Sequence, residues 1–139
     1  MSIVMDAGAL NAFMLAEFPQ VAEDFRVESV APMQAEVRLL ADEKHLRPGG
    51  TVSGPAMFAL ADLAMYVVTL AMIGPKALSV TTNCSIDFMR KPEAGRDLIS
   101  SARLLKLGRM LAVGDVLIRS EGMEAPVARA SLTYSIPPR

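Results

Sequence analysis

Between Arg47 and Tyr66 the chain reads RPGGTVSGPAMFALADLAMY, a Gly/Pro-rich loop that runs into a nearly all-apolar segment holding one carboxylate, Asp62. An ionised carboxylate among apolar side chains is expensive unless it is partnered. Partnered and kept, it is suited to take a proton from water or to attack a carbonyl carbon. Gly54, Phe58, Asp62 and Tyr66 are spaced by four, so they share one stripe if the segment is helical. Gly54 then sits at the helix N-terminus, where unpaired backbone N–H groups and the positive dipole end favour an anion or a polarised carbonyl oxygen. A carboxylate and an oxyanion site are the two parts that acyl transfer to water needs. Eight residues separate them, roughly 12 Å along a helix axis. One helix cannot bring both to the same carbonyl carbon, but two such helices packed antiparallel can. The spacing therefore predicts a dimer with two sites at its interface.

Other chemistry is thinly represented. His45 is the only histidine; it lies in a charged loop, reads as a surface residue and excludes a multi-histidine metal site. The single cysteine, Cys84, falls within a strand and reads as a buried structural thiol, in keeping with a reducing compartment. The ten methionines read as core filler, with Met57 and Met65 near Asp62 as candidates for lining a pliable pocket. A net charge of -1 and a pI near 5.8 argue against a nucleic-acid partner. The N-terminal MSIVMDAGALNAF lacks the basic stretch of a secretory signal, so the expected location is cytoplasmic. Nineteen residues from Pro55 to Ile73 carry a single charge, close to the length of a membrane span. Asp62 near the centre would cost roughly 2.5–3.5 kcal/mol there, so no membrane is expected. A helix apolar on all sides is equally one buried inside a fold.

The elements that must position Asp62 follow from periodicity. Residues 6–18 read as a short amphipathic helix with Leu10, Phe13, Met14 and Phe18 on one side. Phe25–Leu40 reads as two short strands broken near Ala31-Pro32, the second alternating Ala35, Val37 and Leu39 with Gln34, Glu36 and Arg38. Ser53 is a favoured N-cap, Pro55 suits the first turn, and Gly74-Pro75 is a stop, which sets the central helix at about residues 54–73. Four strands are expected after it: Ala77–Met89, Asp97–Lys106, Met110–Arg119 and Pro126–Ile136. On the last, Ala128, Ala130, Leu132 and Tyr134 share a face. The class is α+β in one domain, residues 1–139. A curved antiparallel sheet wraps the central helix, and a second subunit covers what the sheet leaves bare.

The helix reading ALAD, the strand SVTTNCSIDFMRKP, the KLGR hairpin and the closing ARASLTYSIP, in this order across residues 35–136, resemble hotdog-fold acyl-CoA thioesterases of the PaaI type. The resemblance implies hydrolysis of an acyl-CoA thioester to the free acid and coenzyme A. Asp62 would act as nucleophile or general base and the Gly54 N–H as oxyanion donor. Thr81, early on the strand after the helix, would assist the attacking water, with Thr82 the second choice. Where the family usually shows His-Gly-Gly, this chain has Ser53-Gly54-Pro55, and Arg47 stands where many members have Asn. Arg47, Ser53 and Phe58 are then substrate-binding candidates around the helix start. Arg90, Lys91, Gly108 and Arg109, at strand ends, are candidates for meeting coenzyme A. No metal and no separate cofactor are expected, coenzyme A being part of the substrate. The expected protein partner is a second copy, in a homodimer or homotetramer. The alternative, motivated by the missing His and Asn, is a non-catalytic hotdog protein that binds acyl-CoA or an acyl carrier.

Overall fold

A computed structural model describes residues 2–138; Met1 and Arg139, the ends of the expected domain, lie outside the described residues. Along the chain come helices α1 (Ala7–Glu17) and α2 (Pro19–Ala22), strands β1 (Phe25–Ala31) and β2 (Gln34–Leu39), and helix α3 (Gly54–Ile73). Strands β3 (Val80–Phe88), β4 (Leu98–Leu107), β5 (Leu111–Ser120) and β6 (Pro126–Ser135) follow. The start of α3 obeys its caps. Ser53 is extended and its Oγ accepts the Ala56 N–H at 3.3 Å, while Pro55 occupies the first turn, where no N–H is needed. Gly74 ends the helix at a φ of 94°, a conformation that favours glycine.

The strands form one antiparallel sheet in the order β1-β2-β4-β5-β6-β3, curled about α3. Leu60, Ala64, Met65, Val67, Val68 and Leu70 of α3 are buried with Val37 and Leu39 of β2, Leu98 of β4, Val116 and Ile118 of β5 and Leu132 of β6. Each Leu, Ile, Val or Met among them contributes about 1.5–3 kcal/mol by leaving water. Among the described residues α3 is the one helix long and apolar enough to cross a membrane, yet it is spent as the core of this sheet. Met57 and Met65, expected beside a pocket, are both sealed in that core instead.

Helix and sheet approach closely at Gly114 of β5. A Cβ there would lie 2.6 Å from the Arg103 carbonyl oxygen and 2.9 Å from Met65 Sδ. The other side of α3 is partly covered by the N-terminal helices. Asp6 caps α1 by accepting the Ala9 N–H at 2.8 Å, and Leu10 and Met14 are its buried residues. Asn11 Oδ1 accepts the Val27 N–H at 2.9 Å and Asn11 Nδ2 donates to the Val27 carbonyl at 3.0 Å, so one amide closes the outer edge of β1 as a further strand would. Phe18 breaks the helix expected over residues 6–18: its φ and ψ of -137° and 59° are not helical, and Pro19 then opens α2.

Gly114→Ala should destabilise the fold by about 1–3 kcal/mol, the usual cost of overpacking a core, because the new methyl meets backbone on one side and a sulfur on the other. Urea unfolding measures it; an unchanged midpoint would mean that β5 and α3 are less closely apposed than the Cβ distances at Gly114 require.

Candidate active site

Thr81 reaches Asp62 because β3 is not regular. Counted by twos, Thr81 would share a face with Asn83, Ser85 and Asp87, all of them exposed. A register shift between Thr81 and Asn83 inserts one extra residue against β6. Thr81, Cys84, Ile86 and Phe88 therefore pair with Tyr134, Leu132, Ala130 and Ala128, the inward face of β6. Such a bulge re-aims a side chain without ending the strand.

The result is a partnered carboxylate. Thr81 Oγ1 donates to Asp62 Oδ1 at 2.5 Å, and the Tyr134 hydroxyl lies 2.8 Å from the same oxygen and 2.9 Å from Asp62's own carbonyl. Burial first, and then the Asp62 charge, push the Tyr134 phenol well above its ordinary 10.0, so it keeps its proton and remains a donor. A hydrogen bond to a charged group contributes about 1.5–3 kcal/mol, and two meet at this oxygen. Both donors meet Oδ1; among the described residues none reaches Oδ2.

Asp62 lies on the floor of a groove of about 460 Å³. Ala59, Asp62, Leu63 and Tyr66 form that floor, at the 3- and 4-residue spacings of one helix face. One wall is Ala77, Ser79, Val80 and Thr81; the other is Met14, Phe18, Val21 and Phe25. The first wall is the start of β3 and the loop before it; the second is the N-terminal helices with Phe25 of β1, and β1 and β3 are the two outermost strands of the sheet. The groove is the gap the curled sheet leaves over α3. Tyr66 packs between its rings, edge-on to Phe18 at 5.9 Å and 6.1 Å from Tyr134, and donates to the Ala77 carbonyl at 3.1 Å. Its phenol is pushed up to about 12, by burial and then by the Glu17 charge. A larger depression, of about 700 Å³, lies over the outward residues of β3–β6, with the exposed pair Asp87–Arg129 and the charges of Arg103 and Asp115 along it. Among the described residues no group of three or more His, Cys, Asp and Glu side chains is placed to hold a metal ion.

The remaining candidates are distributed around the fold. Gly54 is not in the groove; it lies at the start of α3 under the Phe88 ring, where an added Cβ would sit 3.4 Å from Phe88 Cζ. Its N–H has no acceptor among the described residues, whereas Ala56 and Met57 direct theirs to Ser53. Ser53 is thus committed as a cap. Phe58 is 41% exposed beside the groove floor. Arg47 is exposed in a loop closed by its N–H to the Thr51 carbonyl and by the Leu46–Val52 bridge. Thr82 is exposed and donates to the Thr133 carbonyl at 3.3 Å rather than to Asp62. Gly108 and Arg109 form the β4–β5 turn, at the end of the sheet where β3 begins; Arg90 and Lys91 follow the other end of β3. One chain does not gather these cations.

Two further placements differ from expectation. His45 is buried, its Nδ1 accepting the Asp42 N–H at 2.9 Å and its Nε2 3.5 Å from Asp24 Oδ2, because a short 3-10 turn at Glu43–His45 folds the ring inward. Cys84 is only half-buried, and burial together with the Asp62 charge pushes its thiol above the ordinary 9.0. Sequence reasoning passed over Tyr134, Ser79 and Phe18 as site residues. Tyr134 had a visible signal, a hydroxyl-tipped ring on the inward face of a strand; the other two had none, since their place depends on which edges of the sheet approach.

A six-stranded antiparallel sheet curled about one long helix defines a hotdog fold. Residues 49–127, more than half of the chain, match the Thioesterase superfamily, and the chain belongs to that family. A Silicibacter protein described as a thioesterase superposes with a TM-score of 0.93 at 59% identity, covering 99% of this chain and 96% of its own. A Pseudomonas aeruginosa protein named as an esterase is 32% identical over 108 residues, 77% of this chain and 78% of its own. Acyl-coenzyme A thioesterase 13 of Mus musculus is 26% identical over 104 residues, 75% of this chain and 74% of its own. PaaI proteins of E. coli and Thermus thermophilus are among the solved structures that share the fold.

The Cys84 thiol reports on the charge at Asp62. Its alkylation by iodoacetamide should rise with pH at a midpoint above 9.0, and Asp62→Asn should move that midpoint down, because the anion that opposes the thiolate is gone. A midpoint at or below the ordinary value, or one indifferent to Asp62→Asn, would remove the electrostatic contact between the two.

Proposed function

We propose that the protein hydrolyses an acyl-CoA thioester to the free acid and coenzyme A, at two equivalent sites shared between copies of the chain. The observation that carries this reading is Asp62, held at Oδ1 by Thr81 and Tyr134 on the floor of an apolar groove, in a member of the thioesterase superfamily. The name of the mouse relative supports acyl-CoA as the substrate class. The single cysteine supports a cytoplasmic setting.

The pairing of copies follows from β3. Asp62 lies beside Thr81 and Gly54 beside Phe88, seven residues apart on this edge strand. If two β3 edges pair antiparallel about an axis near Cys84 and Ser85, Thr81 and Asp62 of one copy face Phe88 and Gly54 of the other. Val80 and Phe88, each more than half exposed, would be covered, and an open strand edge would gain hydrogen-bond partners. The same rotation carries Arg90 and Lys91 of one copy toward Gly108 and Arg109 of the other, concentrating cations for the phosphates of coenzyme A. The assembly is then a homodimer, or a homotetramer of two such pairs.

In this arrangement the acyl group occupies the groove and the thioester carbonyl lies over Asp62. Oδ2 takes a proton from a water molecule whose oxygen adds to the carbonyl carbon. Thr81 and Tyr134 keep the carboxylate oriented, and Thr81 Oγ1, its proton engaged by Oδ1, accepts from the same water. The carbonyl oxygen, now negative, is met by the Gly54 N–H of the second copy and the positive end of its helix. Collapse breaks the C–S bond, and coenzyme A leaves as the thiolate and recovers the proton. Direct attack by Oδ2 uses the same geometry. In a single turnover in heavy-oxygen water, an acid released without the label requires direct attack, since only that route can place an oxygen of the enzyme in the product.

Release of free thiol from short, medium and aromatic acyl-CoAs tests the reading. Asp62→Asn keeps the volume and removes the base, so kcat should fall by about 10²–10⁴ in a folded, still oligomeric protein. Gly54→Pro removes the oxyanion N–H. Mixing it with Asp62→Asn should restore about a quarter of the wild-type activity, because half of randomly paired dimers are mixed and each holds one intact site. Mixtures as inactive as either parent would confine the site to one chain. No turnover of any thioester, with acyl-CoA binding intact, would make the protein a binding member of the family.

A further inference from the structure

Of residues 42–53, which lead into α3, two are buried: His45 and Val52. Val52 is apolar and needs no partner, whereas the ring of His45 takes two nitrogens out of water, and both face partners. Nδ1 accepts the Asp42 N–H at 2.9 Å, which leaves the ring proton on Nε2, 3.5 Å from Asp24 Oδ2. Asp24 is fixed to the sheet: its carbonyl accepts the Leu40 N–H at 2.8 Å, and its other carboxylate oxygen lies 2.7 Å from Lys44 Nζ. From His45 a short ladder runs to the start of α3. The His45 carbonyl accepts the Ser53 N–H at 2.8 Å, Leu46 bridges Val52, and the Arg47 N–H donates to the Thr51 carbonyl at 2.9 Å. The tip of this ladder, residues 48–50, is exposed. Ser53 takes the N–H groups of Ala56 and Met57, and the N–H of Gly54 is left without an acceptor among the described residues. One rung thus separates the buried histidine from the residue before that free N–H.

We propose that His45 is a positioning residue for the oxyanion site. Its ring ties the loop to Asp42 and Asp24, and the rung to Ser53 passes that hold to the Gly54 N–H, which would otherwise follow an exposed loop. An oxyanion donor acts at a set distance from the developing charge, and a misplacement of about 1 Å costs on the order of 10² in rate. An apolar side chain would fill the same space; what the histidine adds is the bond from Asp42 that sets the turn. This inference rests on reading Gly54 as the oxyanion donor.

The test uses an acyl-CoA that the wild type turns over. His45→Leu fills the space and removes the acceptor, while His45→Asn returns an oxygen near the place of Nδ1. His45→Leu should lower kcat by about 10–10² with KM within about twofold, because an oxyanion contact is made in the transition state, and His45→Asn should recover most of that loss. An unchanged kcat, a change in KM alone, or equal losses in both variants overturns the proposal. Mixing locates the defect. His45→Leu should complement Asp62→Asn, since one site of the mixed dimer joins an intact carboxylate to an intact Gly54, and it should fail to complement Gly54→Pro. Where Asp62→Asn and Gly54→Pro complement each other, complementation of both by His45→Leu, or of neither, overturns the proposal. Where those two do not, it is the shared site that fails, and the kcat comparison decides for His45.

Should His45→Leu not fold, Ser53→Pro breaks the same link from its other end, since proline fits the φ of -76° there and removes the N–H of the rung. Its kcat should fall about tenfold below that of Ser53→Ala, which corrects for the lost cap, and equal rates overturn the proposal. If no thioester is hydrolysed, the amide resonance of Gly54 decides. A shift in His45→Leu that His45→Asn reverses upholds the link, and a shift in both or in neither overturns it.

Discussion

A single carboxyl side chain in an otherwise apolar helix is the constraint around which this fold is arranged. Two hydroxyls reach one oxygen of Asp62, and they come from two different strands, β3 and β6. Thr81 and Tyr134 face each other across the β3–β6 ladder, so the pairing that holds the sheet together also places both donors. The carboxylate is thereby anchored on one side and open on the other. Such a group is held in place with one oxygen left free.

The same economy appears at the level of the sheet. Six strands curled about α3 bury most of it, and the strip they leave bare is Ala59, Asp62, Leu63 and Tyr66. The edge at β1 is closed by the Asn11 amide and the N-terminal helices, while the edge at β3 keeps its unpaired backbone and its exposed Val80 and Phe88. An uncovered strand edge beside an uncovered helix face invites association, and the two lie together around Asp62. The distance along α3 between Gly54 and Asp62 gives that association a chemical consequence, because neither end of the proposed site is complete alone.

Much of this was legible before any coordinates. The Ser53, Pro55 and Gly74 signals bracket a helix whose ends fall at Gly54 and Ile73, since caps act over a few residues and depend little on the rest of the fold. Strand alternation put Ala128, Ala130, Leu132 and Tyr134 on one face, and they are buried. Local rules failed where the chain departs from a regular repeat. The break at Phe18, which turns the N-terminal segment over the groove, interrupts an amphipathic pattern that continues through it. The inward turn of His45 depends on a side-chain bond to Asp42 that composition does not announce.

The amino-acid sequence by itself determined that one carboxylate stands in the central helix, that a glycine opens that helix, and that sheet must surround it, because each follows from composition and from periods of a few residues. Only the tertiary structure decided which hydroxyls hold the carboxylate. One extra residue in β3 reverses the face that Thr81 presents, and a change of phase is invisible to a period-two reading. It also decided that Ser79, Phe18 and Phe25 belong to one groove, since the loop before β3, the junction of the N-terminal helices and β1 are far apart in sequence and meet only through the packing of helices on a curled sheet.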